Sequence, residues 1–308
     1  MSLKWTYLAA ALCAALVPPL SFAAASPEAS PVDQLLIGAA RAGDSVVAVG
    51  EWGTVLRSVD AGRHWRAATV PTDETLTDVY FADAVHGWAV GHHGAILATE
   101  DGGQQWADRR LVDRSVDPLL GVYFFDGTHG FAVGAFGTLL ESVDGGRTFQ
   151  RRDIGQGDGH LKAVAGNAAG ELYIASEEGV IFRSADRGRS FERAQTGYRG
   201  SFWGLALLPG AVLAYGMRGT VYRSEDGGHS WASVPTGSQS GLSAACVFDA
   251  RRVVIAGAEG TVLESRDAGR SFAPAERSDH AAITALACLR GGALLIGRAP
   301  PTMHEVAR

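Results

Sequence analysis

Arginines gather in the polar connections of this 308-residue chain: Arg109, Arg110 and Arg114, then Arg151 and Arg152, then Arg193 and Arg199. Arg218 lies in a short glycine-bounded turn, and turns of the same kind carry Trp52, His92, His93 and Phe136. A guanidinium fork pairs bidentately with carboxylates, so a surface of this make-up suits an acidic or C-terminal peptide segment. The same connections hold Asp108, Asp113, Asp117, Asp153 and Glu192, beside which the arginines could simply be solvated. Carboxylates offer a second chemistry. Glu51, Glu177, Glu178 and Glu259 all sit in the glycine-bounded turns, and glycoside hydrolysis needs two carboxylates about 5–10 Å apart across a cleft. Metal chemistry is poorly served, because adjacent His92 and His93 in a tight turn rarely face one ion and no Cys is near. Neither a metal nor a cofactor is expected.

These side chains are placed by a repeat. The octet (Ser/Thr)-x-Asp-x-Gly-x-x-(Trp/Phe) occurs six times, centred on Asp60, Asp101, Asp144, Asp186, Asp226 and Asp267, at intervals of 41, 43, 42, 40 and 41 residues. Such a period marks a repeat architecture. The D-x-G core lacks the alternate carboxylates and closing glutamate of a calcium loop. It is better explained as a turn, in which Ser and Asp side chains bond backbone N–H groups and glycine supplies an unusual backbone angle. Six copies identify a structural device, since a catalytic site occurs once.

Ahead of each octet stands Gly-x-x-Gly-(Thr/Ala/Val) followed by two apolar residues, as in Gly50–Gly53, Gly91–Gly94 and Gly134–Gly137; the fourth copy has Ser176 for the first glycine. Two β-branched and aromatic runs precede that turn, such as Asp78–Phe81 and Gly87–Gly91. Each repeat therefore encodes four short strands, and forty glycines suit their turns. One such sheet cannot bury both faces alone, and radial stacking into a β-propeller solves this. Inner strands are expected to begin at Leu35, Leu76, Leu119, Leu161, Phe202, Leu242 and Ile283. That gives an all-β, seven-bladed propeller over residues 35–308 with an incomplete last blade, against a six-bladed alternative. The last blade has two clear strands and a third within Pro301–Val306. Residues 26–34 are a linker or a closing edge strand, although Pro27 and Pro31 suit only an edge.

Lys4, the apolar run Trp5–Val17 and small residues up to Ala25 resemble a cleavable export signal over residues 1–25. The mature chain is expected to be exported to a periplasm, or to a thylakoid lumen in a photosynthetic organism, and to be monomeric. It retains Cys246 and Cys288, whose side chains leave opposite faces of their own sheets. Those faces either confront each other or point apart, so a disulfide and two buried hydrophobes both stand. A net charge of −6 without a basic stripe argues against nucleic acid. Of 27 basic residues only Lys4 and Lys162 are lysines.

The octet resembles the Asp-box of sialidases and other secreted propellers. The longer composite, Asp78–Asp83 with His86–Gly91, Gly94–Leu97 and Thr99–Trp106, repeated from Gly121 to Phe149, resembles the photosystem II stability and assembly factor family. That resemblance runs from Leu35 to Gly297. It implies a lumenal or periplasmic seven-bladed propeller without catalytic activity that binds a membrane-protein or peptide client. An arginine-rich surface serves that contact in the family, but the aligned motif is the scaffold, so no single arginine is carried over. The alternatives are a sialidase-like or other glycoside hydrolase, or a carbohydrate-binding propeller. The Arg-Ile-Pro stretch of sialidases does not occur here.

Overall fold

The repeat folds as its periodicity requires. The computed structural model describes residues 34–109, 117–155, 157–275, 277 and 279–306. The expected export signal and most of the segment before Leu36 lie outside the described residues. Seven antiparallel sheets form the blades, six with four strands and the last with three. In blade 2 the strands are Leu76–Phe81, Gly87–Gly91, Ile96–Thr99 and Ala107–Asp108, running from the axis outward. Blade 7 comprises Ile283–Leu289, Gly292–Gly297 and Thr302–Glu305. Inner strands of successive blades adjoin, and that of blade 7 adjoins that of blade 1, so the ring closes at seven. The Thr284 hydroxyl donates to Leu36 O at 2.5 Å across this closure, as Thr77 does to Leu119 O at 2.7 Å between blades 2 and 3.

Blade 1 begins at Leu36 rather than Leu35. The reason is register: the first inner-strand residue of each blade opposes the first residue of the Gly-x-x-Gly turn, Leu36 with Gly50 and Leu76 with Gly91. Glycine is needed there because a Cβ would lie 2.1 Å from Leu35 O at Gly50 and 2.2 Å from Thr75 O at Gly91. Blade 4 tolerates Ser176 because its hydroxyl turns the close approach into a hydrogen bond with His160 O at 2.8 Å.

Each octet is a closed hydrogen-bonded turn between the third and outer strands. Ser58 Oγ donates to Asp60 Oδ1 at 2.8 Å and accepts from Gly62 N at 2.8 Å, while His64 N donates to Asp60 at 2.9 Å. The other octets repeat this, for example at Ser142, Asp144 and Gly146. The octet glycine also joins blades. It holds a left-handed backbone, and a Cβ on it would strike the second strand of the preceding blade. Gly103 faces Val47, Gly146 faces Trp88, Gly188 faces Phe131, Gly228 faces Tyr173 and Gly269 faces Leu213. Gly62 of blade 1 faces Leu294 of blade 7 across the closure. The neighbouring octet carbonyl often receives a polar cap as well: Trp88 Nε1 donates to Gly145 O at 3.0 Å and Tyr173 Oη to Gly227 O at 3.1 Å. Apolar clusters lie mainly between blades, such as the one uniting Trp88, Ile96, Leu119 and Phe124 of blades 2 and 3.

Cys246 and Cys288 are joined in a disulfide, with Cα atoms 5.4 Å apart. Their opposite faces thus confront each other between blades 6 and 7.

Candidate docking face

The Gly-x-x-Gly turns and the blade-to-blade connections emerge together on one face, and the octets lie on the other. In a four-stranded antiparallel blade the second turn and the exit of the outer strand share a side. At each turn tip the residue before the second glycine adopts a left-handed backbone: Trp52 (φ 55°), His93 (51°), Phe136 (50°), Glu178 (56°), Arg218 (55°) and Glu259 (55°). Such a conformation costs a non-glycine residue on the order of 1 kcal/mol. It is held by turn bonds such as Thr54 N to Glu51 O at 3.0 Å. The fixed backbone presents six unlike side chains around the face, with Trp, His and Phe on blades 1 to 3 and Glu, Arg and Glu on blades 4 to 6.

Trp52 is 74% exposed and Phe136 is 53% exposed. Phe136 stands edge-on to His160, with ring centroids 5.0 Å apart, and His160 Nδ1 accepts from Phe136 N at 3.0 Å. His93 Nδ1 lies 2.7 Å from Glu74 Oε2, and His92 beside it is exposed. The axial lumen opens at the centre of this face, where about 430 Å³ is bounded by Lys162, Trp203, Thr77, Ser243 and Thr284 among others. Trp203 is 40% exposed and lies over Gly241, where a Cβ would come within 2.6 Å of the indole. Sequence reasoning passed over Trp203, although an aromatic at the second inner-strand position, against Ile, Thr, Leu, Lys and Ser in other blades, was the signal available. Deeper in the lumen Asp78 accepts Val79 N and Val122 N at 2.9 Å each, tying blade 2 to blade 3. Burial pushes its carboxyl upward against the pull of those two donors.

The arginines are less united than their clustering in sequence implies. Arg199 and Arg218 are exposed and form no ion pair among the described residues, and Arg218 is the middle residue of the turn Met217–Gly219. Tyr198 beside Arg199 reaches that turn, its hydroxyl 3.5 Å from Met217 O. Arg151 points toward the face, Nη2 donating to Thr138 Oγ1 at 3.2 Å. Arg152 does not. Consecutive residues leaving a strand point to opposite sides, and Arg152 pairs with Glu141 and reaches Arg189 O at 3.3 Å in the next octet. Arg193 is likewise not in a connection: it lies within the outer strand Glu192–Gln195, opposite Phe182, on the flank of blade 4. Arg109 N donates to Ile96 O at 2.8 Å, which extends the outer edge of blade 2 and leaves the side chain half-buried. Arg110 and Arg114 lie outside the described residues.

Of the turn carboxylates, Glu51 accepts from Leu35 N at 3.4 Å, Glu177 from His160 N at 3.2 Å and Glu259 from the Ser240 hydroxyl at 2.9 Å. Among the described residues no group of three or more His, Cys, Asp or Glu side chains could hold a metal ion.

The class so defined is a closed seven-bladed propeller of octet-bearing repeats with an aromatic and cationic loop face. The chain belongs to the Photosynthesis system II assembly factor YCF48 family, whose model matches residues 57–118 and 116–246. It is 32% identical over 192 residues to the Photosystem II assembly lipoprotein Ycf48 of Synechococcus sp. (strain CC9902), covering 61% of this chain and 44% of that one. It is 46% identical over 48 residues to the Photosystem II assembly protein Ycf48 of Thermosynechococcus vestitus, covering 16% of this chain and 14% of that one. The chain thus spans less than half the length of these curated relatives. A solved structure described as YCF48 bound to D1 peptide superposes with a TM-score of 0.74 at 17% identity, over 90% of this chain and 95% of that one. YCF48 from Cyanidioschyzon merolae superposes at 0.69 with 14% identity, over 88% and 94%. At such identities these matches establish the fold, and the WD40 propeller domain of Doa1 reaches 0.69 as well.

Proposed function

We propose that this protein is an exported, non-enzymatic propeller that holds a peptide segment of a membrane-protein client against its Gly-x-x-Gly face, in the manner of an assembly factor. The observation that carries the proposal is where the exposed aromatics lie. Trp52, Phe136 and Trp203 all sit on this face, whereas the exposed aliphatics Val59, Val85 and Val143 belong to octet-side turns and Met303 to the edge of blade 7. Aromatic anchors and arginine dominate the energetics of recognition surfaces. Arg199 and Arg218, exposed and without an ion pair among the described residues, add two guanidinium groups fit for a carboxylate carried by the same segment. The relative solved with a D1 peptide supplies the nearest client chemistry, and the lipoprotein names of relatives support export.

The test is titration of a fluorescently labelled D1 peptide into wild type, Trp52→Ala/Phe136→Ala and Arg199→Ala/Arg218→Ala. Each double variant removes two hot-spot side chains, so affinity should fall at least about tenfold, from ~1.4 kcal/mol or more of lost binding. Wild-type affinity in both variants would remove this face from the binding site.

A further inference from the structure

Blade 7 meets its two neighbours differently. At the seam with blade 1, Leu294 seats against the octet glycine Gly62, as the corresponding second-strand residue does at five other seams. At the seam between blades 6 and 7 the described residues show no octet glycine in the corresponding place. The corresponding second-strand residue of blade 6 is Val254, buried in an apolar cluster shared with blade 7. Directly opposite Val254 on the adjacent inner strand is Cys246, on the same side of the sheet. Cys246 is fully buried and is bonded to Cys288 of blade 7. The disulfide therefore stands at the seam where, among the described residues, no octet glycine joins the two blades. The remaining polar ties lie at the two ends of that seam. Ser243 Oγ donates to Ile283 O at 2.5 Å beside the lumen, and His304 Nε2 lies 2.8 Å from Glu264 Oε1 near the outer edge.

We infer that the Cys246–Cys288 disulfide is a redox-operated lock that fixes blade 7 onto blade 6. The link closes when the two thiols pass two protons and two electrons to a disulfide donor, which departs as two thiols. A reducing dithiol reverses the exchange and becomes a disulfide itself. Disulfides persist in oxidising compartments and are kept open in a reducing cytosol, so the ring is fastened at this seam only after the chain meets an oxidant. In the reduced protein blade 7 opens as a local unit while the octet-locked blades stay closed.

The experiment is hydrogen exchange on the full chain, first equilibrated with oxidised glutathione and then compared with and without excess dithiothreitol. The expected result is at least tenfold faster exchange on reduction in residues 283–305, with residues 76–184 unchanged. Cys246→Ala/Cys288→Ala should match the reduced wild type whether or not dithiothreitol is present. Reduced wild type supplies the measurement if that variant fails to fold. Unchanged exchange in blade 7 on reduction, an equal acceleration around the whole ring, or free thiols at Cys246 and Cys288 after glutathione treatment would each overturn the proposal.

Discussion

Gly188→Ala should destabilise this protein well beyond the ordinary cost of a β-carbon at a left-handed glycine. Gly188 holds φ +80°, and the new methyl would lie 2.3 Å from Cζ of Phe131. Phe131 is wholly buried in the second strand of blade 3, with Phe191 edge-on at 6.3 Å and His129 at 5.3 Å between ring centroids. The ring has no free direction in which to yield. Gly197 is the matched control, since it has φ +84° and nothing within 4 Å of a built Cβ. The backbone penalty, about 1–2 kcal/mol, is common to both sites. Overpacking adds about 1–3 kcal/mol at Gly188 alone. A kcal/mol shifts the midpoint by about 2–4 °C in a domain of 150–250 residues, so Gly188→Ala should melt roughly 2–12 °C below Gly197→Ala. Thermal unfolding followed by circular dichroism reads the difference directly. Equal midpoints would show that the octet glycine is conserved in the repeat for its turn alone, and the inter-blade argument would fail.

The octet carboxylates make stability depend on pH. Thr148 and the backbone around it hold Asp144 down at about 2, and Ser190 does the same for Asp186. At Asp267 burial pulls upward, yet bonds from Ser271 and Ser265 prevail and bring it to about 2. A carboxyl depressed in the folded state stabilises fully above its unfolded value of 3.8, and that contribution disappears as pH falls toward 2. Asp144→Asn should therefore melt below wild type at pH 6, and the gap should narrow steadily between pH 4 and pH 2; a gap independent of pH would contradict the assignment. At the ring closure, Thr284→Val leaves Leu36 O without its side-chain donor, a loss of about 1–3 kcal/mol. Its melting midpoint should drop and exchange should quicken in Leu36–Ala42, whereas an unchanged midpoint would mean that the closure does not depend on this bond.

The scaffold was legible in the sequence because each repeat states the same local solution. The octet spacing, the Gly-x-x-Gly turn and the period-two runs all agree on four strands per blade, and a structure in which local and global preferences coincide can be read from its pattern. Even the Ser176 exception has a local cause, since a hydroxyl can bond the carbonyl that a glycine elsewhere merely approaches. The face was legible only in outline. Which side carries the loops follows from strand alternation, so Trp52, His93, Phe136 and Arg218 fell where expected. What a side chain does at a connection depends on partners from another repeat, and spacing does not encode these. Arg152 turns to Glu141 and to the next blade, while Arg199 stays unengaged, yet both occupy polar connections in the sequence.

The same distinction explains why the cysteines could not be paired from the sequence. Register fixed that Cys246 and Cys288 leave opposite faces, but whether those faces meet depends on the direction in which blades succeed one another around the axis. That direction is carried by the octets, each of which reaches back to the blade before it. Between blades 6 and 7 the described residues show no octet glycine; there His304 reaches back to Glu264 and the Cys246–Cys288 bond joins the inner strands. A repeat protein built from nearest-neighbour contacts depends on the bonds at each seam. At the seam between blades 6 and 7 the direction of succession is thus fixed by a covalent bond, whose formation depends on an oxidising compartment.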